Sequence, residues 1–239
     1  MGRILNMEIY FNQDVAINYK STPQKIRVMS ELWAKNNMYC PCCGNSILTK
    51  FENNKPVADF YCRNCGEIFE LKSKNGNIGR KINDGAYETA IKRISSNENP
   101  NLFVLQYNKY KVVNFQIIPK YFFTPEIIES RKPLSLTAKR AGWKGCNIVY
   151  GNIPIQGKIF IIKDQIIQDK RLVVNEFKES NKLYINNIQK RGWLLDTLFC
   201  INLLKKDIFT LNDMYKFENK LKEKYEKNNN IKPKIRQQL

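Results

Sequence analysis

The sequence contains no histidine. This absence excludes histidine general bases, Ser-His-Asp triads and histidine zinc ligands, so any catalysis would have to use carboxylates, lysine and metal. The sequence also lacks an apolar run of about 18 residues, and its first residues lack the long apolar centre of a signal peptide. We therefore expect neither membrane insertion nor secretion, and the expected compartment is the cytoplasm.

Acidic residues are few compared with basic ones. The chain has 22 Asp and Glu against 40 Lys and Arg, a net charge of +18, and the basic residues are spread along its 239 positions. So large an excess of positive charge makes the folded chain repel itself, and a polyanionic partner would offset that repulsion. The excess therefore favours a nucleic-acid partner over a role in solubility alone. The length and the 43% hydrophobic content allow one core, or one core plus a small satellite domain.

Four of the seven cysteines form two C-x2-C pairs, Cys40 with Cys43 and Cys62 with Cys65. Eighteen residues separate the pairs, and this spacing is typical of a structural zinc ribbon, in which each pair supplies two thiolates to one tetrahedral ion. Disulfides would need an oxidising compartment, for which there is no targeting signal. Cys42 makes the first pair ambiguous by one position, but only Cys40 with Cys43 repeats the spacing of the second pair. We predict Zn²⁺ bound within residues 40–65.

The stretch "EIFELKSK" that follows the second pair has strand alternation. Phe69 and Leu71 would face the core, whereas Glu70 and Lys72 would point together from the other face. If the second cysteine pair forms the tip of a hairpin, Asp59 comes opposite Glu70 on the preceding strand.

Two converging carboxylates of this kind can hold Mg²⁺, and a neighbouring lysine can position a water molecule and offset charge in the transition state. The pattern alone is weak, because an acid followed by [DE]-x-K arises often by chance in a Lys-rich chain. The alternative is a solvated strand face.

Asp59, Glu70 and Lys72 match the PD-(D/E)xK nuclease signature, and the chain closely resembles the methyl-directed type II restriction endonucleases of that superfamily. The resemblance covers nearly the whole chain, and the zinc pairs around the acids make it specific. One departure is that Ala58, not proline, precedes Asp59, although no metal ligand is lost. The resemblance runs through "YCPCCGN", "FENNKPVADFYC", "FELKSKNGN", "INDGAY", "RKPL", "RAGWKGCNI" and "IRQQL".

This resemblance implies an α/β fold: a nuclease core with a mixed sheet flanked by helices, an inserted zinc ribbon and a small C-terminal winged-helix-like domain. It implies a magnesium-dependent enzyme that cuts double-stranded DNA at GATC only when the adenine carries a methyl group. Asp59 and Glu70 would then be the metal ligands, Lys72 the water-orienting residue and the four paired cysteines the zinc ligands. The alternative is a non-catalytic zinc-ribbon DNA-binding regulator or methyl-DNA reader, but the presence of all three signature residues favours the enzyme.

The segment 131–147, "RKPLSLTAKRAGWKGCN", has five cations, two glycines and little periodicity. It is either a surface loop whose tryptophan caps the core or a DNA-contacting loop. In the second case Arg140 or Lys144 would contact phosphate or guanine, and Trp143 would pack against the methylated base. Lys74, on the catalytic strand, is a further candidate for DNA contact.

Local patterns predict a helix from Thr22 through Trp33, a helix over 82–96, and strands over 101–107, 112–118 and 158–164. This organisation defines a catalytic domain over 1–183.

Residues 184–239 are predicted to form the winged-helix-like domain. A helix covers 191–206, and a capping box of Thr210 with Asp213 starts a second helix that runs to about Tyr225. A third helix, capped by Asn230, would enter the major groove, although a solvated C-terminus is the alternative. The resembling family continues into a two-stranded wing, whereas this sequence stops at Leu239, so the wing is either truncated or dispensable. The oligomeric state is open and compatible with a monomer. The candidate DNA contacts on the third helix are Lys232, Lys234, Arg236 and Gln237.

Overall fold

A computed structural model describes residues 7–52, 58–96 and 98–239. Part of the quoted stretch "FENNKPVADFYC" therefore lies outside the described residues. The chain forms two compact units, one built from 1–78, 99–120 and 158–182, the other from 79–98, 121–157 and 183–239. The units follow spatial packing and interleave along the chain, so the domain boundary after residue 183 stays a prediction.

The strands and helices are numbered in chain order over the described residues. The strands are β1 (Thr49–Lys50), β2 (Phe60–Tyr61), β3 (Ile68–Asn75), β4 (Ile82–Ala86), β5 (Asn101–Asn108), β6 (Lys111–Ile118), β7 (Ile128–Ser130), β8 (Gly145–Ile148), β9 (Ile159–Lys163) and β10 (Ile166–Ile167). The helices are α1 (Thr22–Asn37), α2 (Tyr87–Ser95), α3 (Lys170–Ser180), α4 (Ile188–Leu204), α5 (Leu211–Tyr215), α6 (Glu218–Lys224) and α7 (Ile231–Gln238).

The first unit contains a seven-stranded sheet in the order β1-β2-β3-β5-β6-β9-β10. Strands β3 and β5 pair in parallel and the other neighbours are antiparallel, so the mixed sheet predicted from the sequence is confirmed. The parallel pair requires a crossover, which the chain makes through residues 76–100.

Aromatic residues form the centre of the core of this unit. The ring of Phe103 stacks on Phe69 at 4.8 Å and on Phe115 at 5.0 Å between centroids. Helices α1 and α3 cover these rings, with Trp33 and Phe177 among the buried contacts. Such aromatic pairs stabilise a core by about 0.5–1.5 kcal/mol each beyond the area they bury. The core therefore holds β3, the strand of the predicted catalytic residues, at its apolar face.

Helix α1 begins at Thr22, as predicted, but continues past Trp33 to Asn37. The extension depends on a distant partner: Asn37 accepts a hydrogen bond from the N–H of Glu8 at 2.8 Å and donates to the carbonyl of Trp33 at 2.9 Å. Asn has a modest helix propensity, so the sequence pattern gives little sign that the helix extends this far.

The second unit contains a three-stranded antiparallel sheet in the order β4-β8-β7. The helix predicted over 82–96 is wrong in its first part, because residues 82–86 form β4. The helix starts at Tyr87, whose N–H bonds the carbonyl of Lys144 at 3.1 Å. The end of the predicted loop 131–147 is likewise the strand β8. Both differences arise because these strands pair with partners about 60 residues away, which local periodicity cannot report.

The C-terminal helices bury one apolar cluster, in which α4 contributes Trp193 and Cys200. The predicted capping box is present, with Thr210 and Asp213 each bonded to the other's backbone N–H. The predicted single helix after it is wrong: it breaks into α5 and α6, and the N–H of Phe217 bonds the carbonyl of Met214 at 3.1 Å in a tighter turn. Among the described residues, no helix has the length and apolar character needed to cross a membrane.

Candidate active site and metal centre

The two cysteine pairs converge on one point in the first unit. The sulfur atoms of Cys40, Cys43, Cys62 and Cys65 all lie within 4.8 Å of one another. Across the pairs, Cys40 Sγ lies 3.6 Å from Cys65 Sγ, and Cys43 Sγ lies 3.6 Å from Cys62 Sγ. Zinc–sulfur bonds of about 2.3 Å in a tetrahedron place sulfurs about 3.8 Å apart, so four thiolates at these distances could hold Zn²⁺. The pairing predicted from spacing is confirmed as a four-cysteine cluster without Cys42.

Each pair lies on a turn with the same backbone hydrogen bonds. The N–H of Gly44 bonds the carbonyl of Cys40 at 2.8 Å, and the N–H of Gly66 bonds the carbonyl of Cys62 at 2.9 Å. Both glycines have positive φ, +78° and +74°, a conformation that L-residues with a side chain rarely adopt. A glycine directly after each pair is therefore what lets the turn close around a metal.

Hydrogen bonds within the second turn act on the thiol of Cys62. Although desolvation by burial opposes the charged form, the backbone N–H groups of Cys65 and Asn64 and the side chain of Asn45 lower the pKa of the Cys62 thiol to about 7. A hydrogen bond with Cys42 raises the pKa of the Cys40 thiol, and burial raises the pKa of the Cys65 thiol. The surroundings therefore favour the thiolate, the form that zinc binds, at Cys62 and not at those two positions.

The second turn forms the tip of the antiparallel pair β2 and β3, in the register Phe60 with Phe69. Just before β2, the N–H of Asp59 bonds the carbonyl of Phe69 at 2.8 Å, and Asp59 Oδ2 accepts a bond of 2.7 Å from the N–H of Leu71. Asp59 thus holds β3 on both sides of Glu70. The predicted hairpin, with Asp59 beside Glu70, is therefore present in the structure.

Glu70 and Lys72 point together from β3, as strand alternation predicts. The Nζ of Lys72 lies 2.6 Å from Oε1 of Glu70, and both side chains are about a quarter exposed. On the other face of the strand, Phe69 is fully buried in the core. This geometry gives a part-buried acid and a cation next to a second acid, Asp59, on the neighbouring chain segment.

The environment of Asp59 contains a buried acid that the sequence analysis did not single out. Desolvation raises the pKa of Asp59, the hydrogen bond from Leu71 lowers it, and the charge of Glu31 raises it again. Glu31 lies on α1 and is 5% exposed, with Arg27 Nε at 2.6 Å and Lys50 Nζ at 2.7 Å from its carboxylate. The only local signal in the sequence is the i,i+4 pair with Arg27, which is common on helices.

The candidate DNA-contact residues divide between the two units. Lys74 is exposed near the end of β3 in the first unit. In the second unit, Arg140 lies with its Cζ 4.7 Å from the ring centroid of the partly exposed Trp143. Lys144 is exposed, and its carbonyl accepts the hydrogen bond that starts α2.

The predicted contacts on the last helix face partners within the helical domain as well as solvent. Lys232 Nζ lies 3.3 Å from Glu218 Oε2, and Arg236 donates to the hydroxyl of Tyr215 at 3.1 Å. Lys234 donates to Oε1 of Gln237 at 2.7 Å. These contacts orient four polar side chains along one short helix whose apolar residues, Ile231 and Ile235, are buried.

Two family models match the chain. Residues 7–186 match DpnI, described as the Dam-replacing family, and residues 189–239 match DpnI_C, described as the Dam-replacing HTH domain. The first match covers the mixed sheet with its cysteine cluster, and the second covers the C-terminal helices. The chain belongs to the DpnI, or Dam-replacing, family, which implies a restriction endonuclease with a helix-turn-helix DNA-binding domain.

Proposed function

We propose that the protein is a magnesium-dependent type II restriction endonuclease that hydrolyses phosphodiester bonds of double-stranded DNA at GATC sites with methylated adenine. The observation that carries the proposal is the arrangement of Asp59, Glu70 and Lys72 on a hairpin that a four-cysteine cluster closes. Family membership supports the restriction activity, and the net charge of +18 suits a DNA substrate. A DNA substrate and a reduced cysteine cluster both favour the cytoplasm as the place of action.

The carboxylates of Asp59 and Glu70 would hold Mg²⁺, since that ion is usually bound by one or two carboxylates and keeps several waters. When bound, the ion supplies charge stabilisation at the phosphoryl oxygens and a more acidic water. Lys72 then has two roles in the reaction: its ammonium orients the attacking water and offsets the negative charge that develops on the phosphate. Water attacks phosphorus and gives up a proton to solvent, the P–O bond to the leaving oxygen breaks, and that oxygen takes a proton from solvent.

The methyl requirement would depend on an apolar surface in the major groove, where the exocyclic nitrogen of adenine is exposed. In the second unit we assign this role to Trp143, with Arg140 and Lys144 contacting phosphate or guanine. The helix α7 would add Lys232, Lys234, Arg236 and Gln237 as groove and phosphate contacts, and Lys74 would contact phosphate near the cleavage site.

The deciding experiment incubates the purified protein with magnesium and two plasmid preparations, one adenine-methylated at GATC and one unmethylated. Fragments from the methylated plasmid alone are the expected result. Cleavage of both plasmids would contradict the methyl requirement. Binding of the methylated plasmid without any cleavage would identify a reader and refute the nuclease.

A further inference from the structure

The guanidinium of Arg131 lies directly against the backbone of Gly145 in the second unit. A Cβ built on Gly145 would lie 2.0 Å from Nη2 of Arg131 and 2.7 Å from both its Cζ and its Nε. Arg131 directly follows β7, and its N–H bonds the carbonyl of Gly145, the first residue of β8, at 2.9 Å. Only glycine leaves room for this side chain, and the reason is close approach, because Gly145 does not have positive φ.

The same guanidinium reaches the indole of Trp143. The Cζ of Arg131 lies 5.8 Å from the ring centroid, within the range of a cation–π contact, and Arg140 is nearer at 4.7 Å. Trp143 therefore has two arginines around its ring. Arg140 is exposed, whereas Arg131 is partly buried.

The Nε of Arg131 makes no hydrogen bond within the described structure, although it is buried. Buried donors are normally satisfied, so an exception calls for an explanation. The close approach of the guanidinium to Gly145 and its proximity to Trp143 provide one, because a guanidinium can pack against the backbone and an aromatic ring in a way that a lysine ammonium does not.

The backbone closes the loop that carries the indole. The N–H of Leu134 bonds the carbonyl of Trp143 at 3.0 Å, and the N–H of Gly142 bonds the carbonyl of Leu134 at 3.1 Å. These bonds place the Cα of Trp143, but they leave its side-chain torsions to neighbouring groups. In the described part of the loop, those neighbours include the guanidiniums of Arg131 and Arg140.

We propose that Arg131 is a positioning residue for Trp143. Gly145 has no side chain and so leaves the space that Arg131 occupies. Together they hold the indole of Trp143 in the orientation that favours binding of a methylated adenine. This inference rests on the proposed function, in which Trp143 contacts the methyl group. It assigns to Arg131 a role in methyl preference and not in phosphate attraction.

Two substitutions separate orientation from charge. Arg131→Lys keeps the charge and loses the planar guanidinium, whereas Gly145→Ala keeps every charge and displaces only the far end of a flexible side chain. The matched control is Lys139→Ala, which removes an exposed cation from the same loop. The readouts are the ratio of cleavage rates on methylated and unmethylated duplexes and the acrylamide quenching of tryptophan fluorescence without DNA. Thermal melting checks that each variant is folded.

Both test variants should lower the rate ratio by about 3- to 30-fold, the factor that corresponds to a cation–π contact. Both should also raise quenching, which reports on Trp143 because Trp33 and Trp193 are 3% and 5% exposed. Lys139→Ala should leave the ratio and the quenching as in the wild type. If the wild type prefers methylated DNA and both variants keep that preference, the proposed role of Arg131 is refuted, whereas the proposed function stands. A wild type without a methyl preference overturns the proposed function, and the inference falls with it.

Discussion

The carboxylate of Asp59 accepts a hydrogen bond of 2.7 Å from the backbone N–H of Leu71. Because the N–H of Asp59 also bonds the carbonyl of Phe69, the acid is attached to β3 on both sides of Glu70. The position of one proposed metal ligand relative to the other is thus set by main-chain contacts and not by side-chain packing alone. A substitution at Asp59 therefore affects both the proposed chemistry and this attachment, and the two effects can be measured separately.

The first prediction concerns catalysis. Asp59→Asn, which can still accept the bond from Leu71, and Glu70→Ala and Lys72→Ala should each lower the cleavage rate at least about 100-fold, since the proposed interactions supply several kcal/mol in the transition state. Binding of methylated duplex should stay near that of the wild type. Gel shift and cleavage assays on the same DNA measure both quantities. Near-normal cutting by any one variant would remove that residue from its proposed role.

The second prediction concerns pH. Burial raises the pKa of Asp59 above its ordinary value, so the folded state prefers the protonated acid and its ionisation costs stability at neutral pH. Asp59→Asn should therefore raise the free energy of unfolding at pH 7 without magnesium. The gain should shrink as pH falls through the raised pKa and vanish below the unfolded value of about 3.9.

Urea unfolding at several pH values, without chelator because the cysteine cluster could lose metal, measures this gain. Asp207→Asn, at an exposed aspartate, is the control, because it removes one negative charge without removing a buried carboxylate. An equal gain in both variants would mean that burial of Asp59 is not the cause.

The third prediction concerns zinc. Cys40→Ser or Cys62→Ser should lose tightly bound zinc and unfold the hairpin, because structural zinc contributes about 10–16 kcal/mol of binding free energy in zinc-finger peptides. Cys42→Ser should keep the metal, since Cys42 lies outside the four-cysteine cluster. Metal analysis and thermal melting of the three variants test this. A wild type without tightly bound zinc would refute the zinc site.

The fourth prediction concerns the helical domain. Thr210→Ala removes the capping box at the start of α5 and should lower the free energy of unfolding by about 1 kcal/mol. Asn230→Ala is a matched control, because Asn230 precedes α7 without a side-chain cap bond. It should cost clearly less in the same urea titration. Equal losses would show that the cap bonds are not what stabilises these helices.

The fifth prediction concerns DNA attraction by the last helix. Lys232→Ala and Arg236→Ala should each reduce the slope of log affinity against log salt by about 0.9, the loss of one phosphate contact. Lys178→Ala, an exposed lysine near the end of α3, should leave the slope unchanged. Titrations on methylated duplex at four salt concentrations decide this. Unchanged slopes in both helix variants would favour the solvated C-terminus over a DNA-contacting helix.

Features that depend on local spacing can be predicted from the amino-acid sequence. Two C-x2-C pairs, each followed by glycine, specify turns that can close around one ion wherever the rest of the chain lies. Strand alternation likewise determined that Glu70 and Lys72 share a face opposite Phe69. The capping box of Thr210 with Asp213 can also be predicted, because the two residues are only three positions apart in the sequence.

Contacts between residues far apart in the chain arise only when the protein folds. Residues 82–86 form a strand because β8 pairs with them, Glu31 of α1 lies near Asp59, and Gly145 admits Arg131 only after β7 and β8 have paired. Local propensity is weaker than such pairing, and the sequence gives no distance between segments that meet only on folding. Burial and long-range hydrogen bonds, and not sequence spacing, determine which polar side chains come together.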